Sequence, residues 1–214
     1  MNAAASAPKW RRRKQQRPGD IVAAALQVFA EKGFAGARTE EIAERAGLSK
    51  GALYLYFPTK HDLFAAVVQN AVLPNIEAIE RLVLAMDAPF ADRLRLMLPR
   101  FAETVTRMPI GAVAKMVIGE SRNFPELARV WHDKVVLTGV GLLSRMIAQA
   151  QERGEVRAGD PRTHAFSIMG PVLVGVLWRE TFTPIGGAEI DLPAVARQHV
   201  ETVLGGLLAE GDRP

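Results

Sequence analysis

The sequence predicts an all-α chain: an N-terminal three-helix unit holding a helix-turn-helix, then a helical bundle, about nine helices in all. Three observations carry this. Apolar residues recur at helical spacing, as in Val22, Ala25, Leu26 and Phe29, which mark one stripe of a 3.6-residue period. Glycine, proline and capping residues fall where such helices start and stop, as in Gly154 and Asp160–Pro161. Residues 39–60, TEEIAERAGLSKGALYLYFPTK, have the spacing of two short helices crossing over a tight turn.

The elements follow in order. Residues 9–17, KWRRRKQQR, hold six basic residues and no acid. Such a segment cannot bury enough apolar surface to fold alone, so residues 1–17 are expected to be a basic arm, disordered in isolation. Two readings of it stand: an arm that touches phosphates or enters a minor groove, or a solubilising tail. The first helix is expected over residues 18–32, ended by Gly33. Residues 39–60 supply the next two, and a domain boundary is placed between residues 18–58 and 59–214. The fourth helix starts after Thr59, with Asp62 at capping-box spacing. Pro74 should kink or break it near Leu73. The fifth covers residues 89–107, where Pro99 is placed to distort it. The sixth covers residues 110–121 and the seventh residues 125–153. Asp160 and Pro161 open the eighth, and the ninth follows Asp191 and Pro193 and ends near Glu210. TPIGGAE, residues 183–189, is the expected flexible loop.

The spacing in residues 39–60 has a physical logic. Ala43 is small where two helices cross, and Gly47 supplies a turn that tolerates positive φ. Ile42, Ala46, Leu48, Leu53 and Tyr56 are apolar where the pair must face a shared core. Thr39 is placed to cap the first helix, with Glu40 and Glu41 in its first turn. Ser49 is placed to cap the second, and Leu48 with Leu53 stands at staple spacing. Gly51 is a poor helix former in a first turn. It is read as letting the backbone approach a phosphate or groove wall. A helix-turn-helix places its second helix in the major groove of DNA. Charge agrees: residues 1–60 carry 11 Lys/Arg against 5 Asp/Glu, and the remainder 16 against 18.

These residues resemble the TetR family of bacterial transcriptional regulators. The resemblance is carried by residues 19–68, in the phrases FAEKGF, IAERAGLSKGALYLYF and KHDLF. ESRNFPELARVWHDKV, residues 120–135, is similar to the C-terminal domain of one subgroup. The resemblance implies a three-helix DNA-binding domain and an all-helical ligand-binding and dimerisation domain, in a repressor released by a small molecule. It implies that Thr39, Tyr56 and Lys60 grip phosphates, while Lys50, Gly51, Leu53 and Tyr54 project from or flank the reading surface. Leu53 is assigned to the core by its staple position. The DNA-binding set is therefore Thr39, Ser49, Lys50, Gly51, Tyr54, Tyr56 and Lys60. The expected partner is a double-stranded operator, an inverted repeat.

The eighth helix is apolar nearly all round from Ala165 to Trp178 and must be covered on every side. With the ninth, and with Gly170, Gly175, Gly205 and Gly206 permitting close approach, it is expected to form a homodimer surface; packing within one subunit is the alternative. An apolar or amphipathic effector would lie between helices of the bundle. Its candidate lining is Phe101, Met108, Met116, Trp131, Met146, Phe166, Met169 and Trp178, with His132 and Phe182 nearby in type. Methionine and aromatic side chains suit an adaptable apolar cavity.

Other classes are set aside. The four histidines, His61, His132, His164 and His199, lack metal-ligand spacing. There is no phosphate loop and no nucleophile with base and acid, so neither an enzyme nor a cofactor is expected. The chain has no cysteine, which is compatible with a reducing cytoplasm. The apolar run AFSIMGPVLVGVLW, residues 165–178, is too short to span a bilayer. No apolar stretch precedes Asp20, so no secretory signal is read. A ligand-independent or activating DNA binder of the same fold remains the alternative, and a helical-bundle enzyme or carrier a remote one.

Overall fold

A computed structural model describes residues 9–207, with side chains from Arg17 onward. Among these residues there are nine helical rods and no β-strand. They are α1 (Lys9–Gly36), α2 (Thr39–Arg45), α3 (Lys50–Tyr56), α4 (Lys60–Val67, running on as Leu73–Leu84), α5 (Phe90–Arg107), α6 (Ile110–Glu120), α7 (Pro125–Trp131, running on as Leu137–Glu152), α8 (Pro161–Thr181) and α9 (Leu192–Leu207). A single 3-10 turn, Thr183–Ile185, follows α8. No described helix is long and apolar enough to cross a membrane.

Capping chemistry fixes four of the starts. Ser49 Oγ accepts the Ala52 amide at 3.3 Å. Thr59 and Asp62 exchange side-chain and backbone bonds at 3.0 Å each, a complete capping box. Asp160 accepts the amides of Arg162 and Thr163. Asp191 accepts that of Ala194 at 3.0 Å. The cap expected of Thr39 is not made. The helix begins at Thr39 itself, after extended Arg38, so the hydroxyl is past the position that reaches the free amides. It pairs with Tyr54 Oη at 3.0 Å instead.

The arm also differs from expectation. α1 starts at Lys9, so residues 9–17 continue the helix rather than stopping at Pro18. Lysine, arginine and glutamine are good helix formers, and proline removes a single ladder bond. The chain turns at Gly33, where φ is +71°. The expected end of α9 near Glu210 lies outside the described residues.

Two helices contain π turns. Pro74 lacks the N–H that would meet the Asn70 carbonyl, and its ring crowds that group. The rod does not break; it widens over Val68–Val72, and Asn75 Nδ2 donates to the Ala71 carbonyl at 2.7 Å. A second π turn occupies His132–Val136 in α7. α5 stays one element through Pro99.

The described residues form two cores. The first gathers Ile21, Val22, Ala25, Phe29 and Phe34 of α1 with Ile42, Ala43, Leu53, Leu63, Phe64 and Val67. The second gathers α5, α8, α9, the later part of α4 and most of α7. The division is not at a single point in the chain. α4 gives Leu63–Val68 to the first core and Val72, Ile76 and Val83 to the second. α6 gives Ile110 to the second, but Val113, Met116 and Val117 to the first.

Candidate functional site

The α2–α3 pair is built as its spacing requires. Ala43 is buried at the crossing, Gly47 turns with φ +66°, and Ile42 and Leu53 are fully inside. Because Leu53 faces inward, α3 turns Lys50, Gly51, Tyr54 and Leu55 to solvent. A Cβ at Gly51 would meet nothing within 4 Å. Its smallness therefore serves no contact inside the chain, which fits an approach from outside. Leu55 is 86% exposed, and the sequence reading missed it. The signal was available: two residues from buried Leu53 is about 200° around a helix, hence the opposite face.

The remaining DNA-site residues are placed as follows. Thr39 is buried at 8% exposure and joined to Tyr54. Tyr56 is half-buried against the first core. Ser49 is a cap. Lys50 pairs with Glu40 across the turn and sits 5.9 Å above the Tyr54 ring. The hydrogen bond with Glu40 raises the Lys50 ammonium and lowers the Glu40 carboxyl from their ordinary values. Lys60 faces inward: its Nζ donates to the carbonyls of Phe34 at 2.6 Å and Ala37 at 3.0 Å. It lies 4.5 Å from the Phe34 ring centre. Burial pushes its ammonium below the ordinary lysine value, opposed by the charge of Glu120. The phosphate grip that the resemblance implies for Lys60 is not this geometry, because its protons are already taken by backbone.

Charge in the reading unit is more balanced than the totals suggest. Residues 18–60 hold five Lys/Arg and five Asp/Glu. Arg45 joins Glu31 and Glu41 at 2.8 Å, and Lys32 joins Glu41 at 2.6 Å. The excess of six positive charges lies entirely in residues 9–17.

A second site lies in the bundle. Five helices enclose a cavity of about 230 Å³. α4 supplies Ile76 and Ile79; α5 supplies Met97, Leu98, Phe101 and Thr104; α6 supplies Ile110, Gly111 and Ala114. α7 adds Trp131, Val135, Gly139 and Val140, and α8 adds Phe166, Met169, Gly170 and Leu173. None of the lining residues carries a charge. The Thr104 hydroxyl is already given to the Arg100 carbonyl at 2.8 Å. Phe166 and Leu173 are 53% and 44% exposed, so the cavity opens beside α8, where Gly139 and Gly170 have empty space at their missing Cβ.

Of the eight candidates, Phe101, Trp131, Phe166 and Met169 line this cavity. The other four do not, for identifiable reasons. Met116 lies in the first core, since its helix has by then left the cavity. Met146 is buried in the second core, and Met108 packs on that core at the end of α5. Trp178 lies at the surface, with Nε1 donating to the Ala188 carbonyl at 3.0 Å and its ring 5.0 Å from Phe182. His132 is exposed beside Asp133. Among the described residues, no three His, Asp or Glu side chains gather as a metal site. His61 pairs with Glu126.

Comparison with known proteins bears on both sites. Residues 21–67 match the family model of the bacterial regulatory proteins, tetR family. Residues 92–205 match that of the AefR-like transcriptional repressor, C-terminal domain. The HTH-type transcriptional activator FasR of Mycolicibacterium smegmatis is 35% identical over 92 residues, 43% of this chain and 42% of that protein. The HTH-type transcriptional regulator RutR of Escherichia coli K12 is 28% identical over 212 residues, 91% of this chain and 89% of that one. The fold is similar to the transcriptional regulator FadR of Bacillus subtilis, solved with stearoyl-CoA. There the TM-score is 0.74 at 21% identity, over 88% of this chain and 98% of the other.

Proposed function

The chain belongs to the TetR family of bacterial transcriptional regulators, and from that premise we propose how its two sites work together. It is a DNA-binding regulator; family members are regulators, not enzymes. In our reading α3 enters the major groove with Lys50, Gly51, Tyr54 and Leu55 leading. The observation that carries this is the solvent-facing side of α3, with Leu53 locked inside behind it. Leu55 reads a thymine methyl, the apolar feature of the groove. Tyr54 and Thr39 position the helix on the backbone. The basic arm supplies most of the salt-dependent attraction, because residues 18–60 are formally neutral. These events belong to the cytoplasm.

The assembly is a homodimer through α8 and α9. Exposed Val174 and Trp178 on α8 support it, as does the open space beside Gly205 and Gly206, whereas Gly170 borders the cavity. Gly175 serves packing inside the subunit, close against Leu192. Two copies of α3 then address half-sites of an inverted repeat about 34–36 Å apart. The cavity takes an effector with an apolar body and no ionised group inside, since no lining side chain would neutralise one. The long acyl chain of the stearoyl-CoA held by FadR is of this chemistry. An effector that favours a conformation with the wrong α3 spacing weakens DNA binding, and DNA weakens effector binding by the same factor.

The test has two arms. Selection from a random duplex pool should return an inverted repeat, and deletion of the gene should raise expression beside that sequence. A fall in expression instead would establish an activator, the reading that FasR favours. Failure to retain any duplex at low salt would overturn the proposal.

A further inference from the structure

The carboxylate of Glu120, the last residue of α6, reaches into the turn that precedes the reading pair. Its Oε1 accepts the Phe34 amide at 2.9 Å and its Oε2 the Ala35 amide at 2.8 Å. Both amides follow Gly33, and a Cβ at Gly33 would collide with Glu120 Oε1. Glycine is required there for its φ of +71°, and any side chain would also push the Glu120 carboxylate off the two amides. Lys60 takes the carbonyls of the same turn, at Phe34 and Ala37. The stretch from the Gly33 turn to Ala37, just before α2, is thus gripped by its donors from α6 and by its acceptors from α4.

α6 connects two places. It begins with Ile110 and Gly111 in the cavity wall and ends, about 16 Å on, at this carboxylate. Its other contacts with the first core, through Val113, Met116 and Val117, are apolar and non-directional, so they resist separation better than sliding. Two charge-assisted hydrogen bonds to fixed backbone amides are directional. They are what can fix an angle.

We propose that Glu120 is the positioning residue through which the second half of the chain sets the orientation of α2 and α3, making binding sensitive to half-site spacing. The inference rests on the DNA-binding reading above. A dimer measures spacing only if each reading pair is held stiffly against the bundle, and Glu120 is the polar grip that α6 supplies on the turn before that pair.

The test uses the full chain and three duplexes: the inverted repeat that the parent selects from a random pool, the same repeat with its spacer lengthened by two base pairs, and a single half-site. Glu120→Gln keeps the shape but offers one acceptor oxygen and turns an amide N–H₂ toward a backbone donor. The parent should prefer its own spacing by about tenfold or more. Glu120→Gln should retain half-site affinity within about twofold and lose at least about threefold of that preference. Amide exchange at Phe34 and Ala35 should become about tenfold faster in the variant. Loss of folded protein would weaken all three duplexes together and leave the ratio unmoved, so the ratio separates positioning from stability. A parent that selects a duplex, with a variant of unchanged ratio and exchange, overturns this inference alone. A parent that selects no duplex overturns the DNA-binding reading as well.

Discussion

At Lys60 the ammonium meets the carbonyls of Phe34 and Ala37 and the face of the Phe34 ring. A group so occupied contributes to folding more than to phosphate binding. Lys60→Met, which keeps the stem and removes the donors, should destabilise the chain by about 1–2 kcal/mol. The thermal midpoint should fall by about 3–6 °C, and the dependence of DNA affinity on salt should stay unchanged. A salt slope flatter by about one unit would show instead that Lys60 swings out to a phosphate. Leu55 makes the opposite prediction. It supports nothing inside the chain, so Leu55→Ala should leave the thermal midpoint alone. It should relax base preference at one operator position by about 1 kcal/mol, measured by competition between thymine and uracil there. Equal affinity of the parent for both bases at every position would remove the methyl contact.

At the scale of elements, α1 and α2 are joined by surface ion pairs. Arg45 holds the Glu31 carboxyl below its ordinary 4.5, and Lys32, then Arg45, do the same for Glu41. Carboxyls lowered by folding contribute stability that is complete above 4.5 and disappears as pH falls through their folded values. Arg45→Met should therefore narrow the gap between thermal midpoints at neutral pH and below pH 4. These groups are exposed, so the change is small. An identical acid response in parent and variant would show that the pairs do not matter in solution. The π turns belong to this scale as well. That at Val68–Val72 is caused by Pro74 one turn on, and it falls where α4 passes from one core to the other.

For the whole molecule, charge and cavity divide the work. With residues 18–60 balanced, removing residues 2–17 should reduce the salt slope of DNA binding by up to about five units for each subunit bound, while leaving the selected sequence the same. A slope unchanged by the truncation would make the arm a tail only. The cavity predicts its own behaviour. Nile red, a neutral apolar dye, should bind the parent and be excluded by Gly139→Leu, whose side chain enters the open space at the mouth. Operator DNA should lower dye affinity by the factor that dye lowers operator affinity. Dye affinity indifferent to operator would uncouple the two sites.

The sequence by itself determined the local structure: the α2–α3 turn at Gly47, the caps at Ser49, Thr59 and Asp160, and the inward face of α3. These depend on residues within one or two turns, where spacing and backbone chemistry decide the outcome. It did not reveal which candidates line the cavity. Met116 and Ile110 share a helix, yet that helix crosses from one core to the other, and periodicity records that a face is buried without saying against what. Nor could it place Lys60 or Glu120. Their partners are backbone groups 23–26 and 85–86 residues away, brought within hydrogen-bond reach only by the packing of α4 and α6 around Phe34.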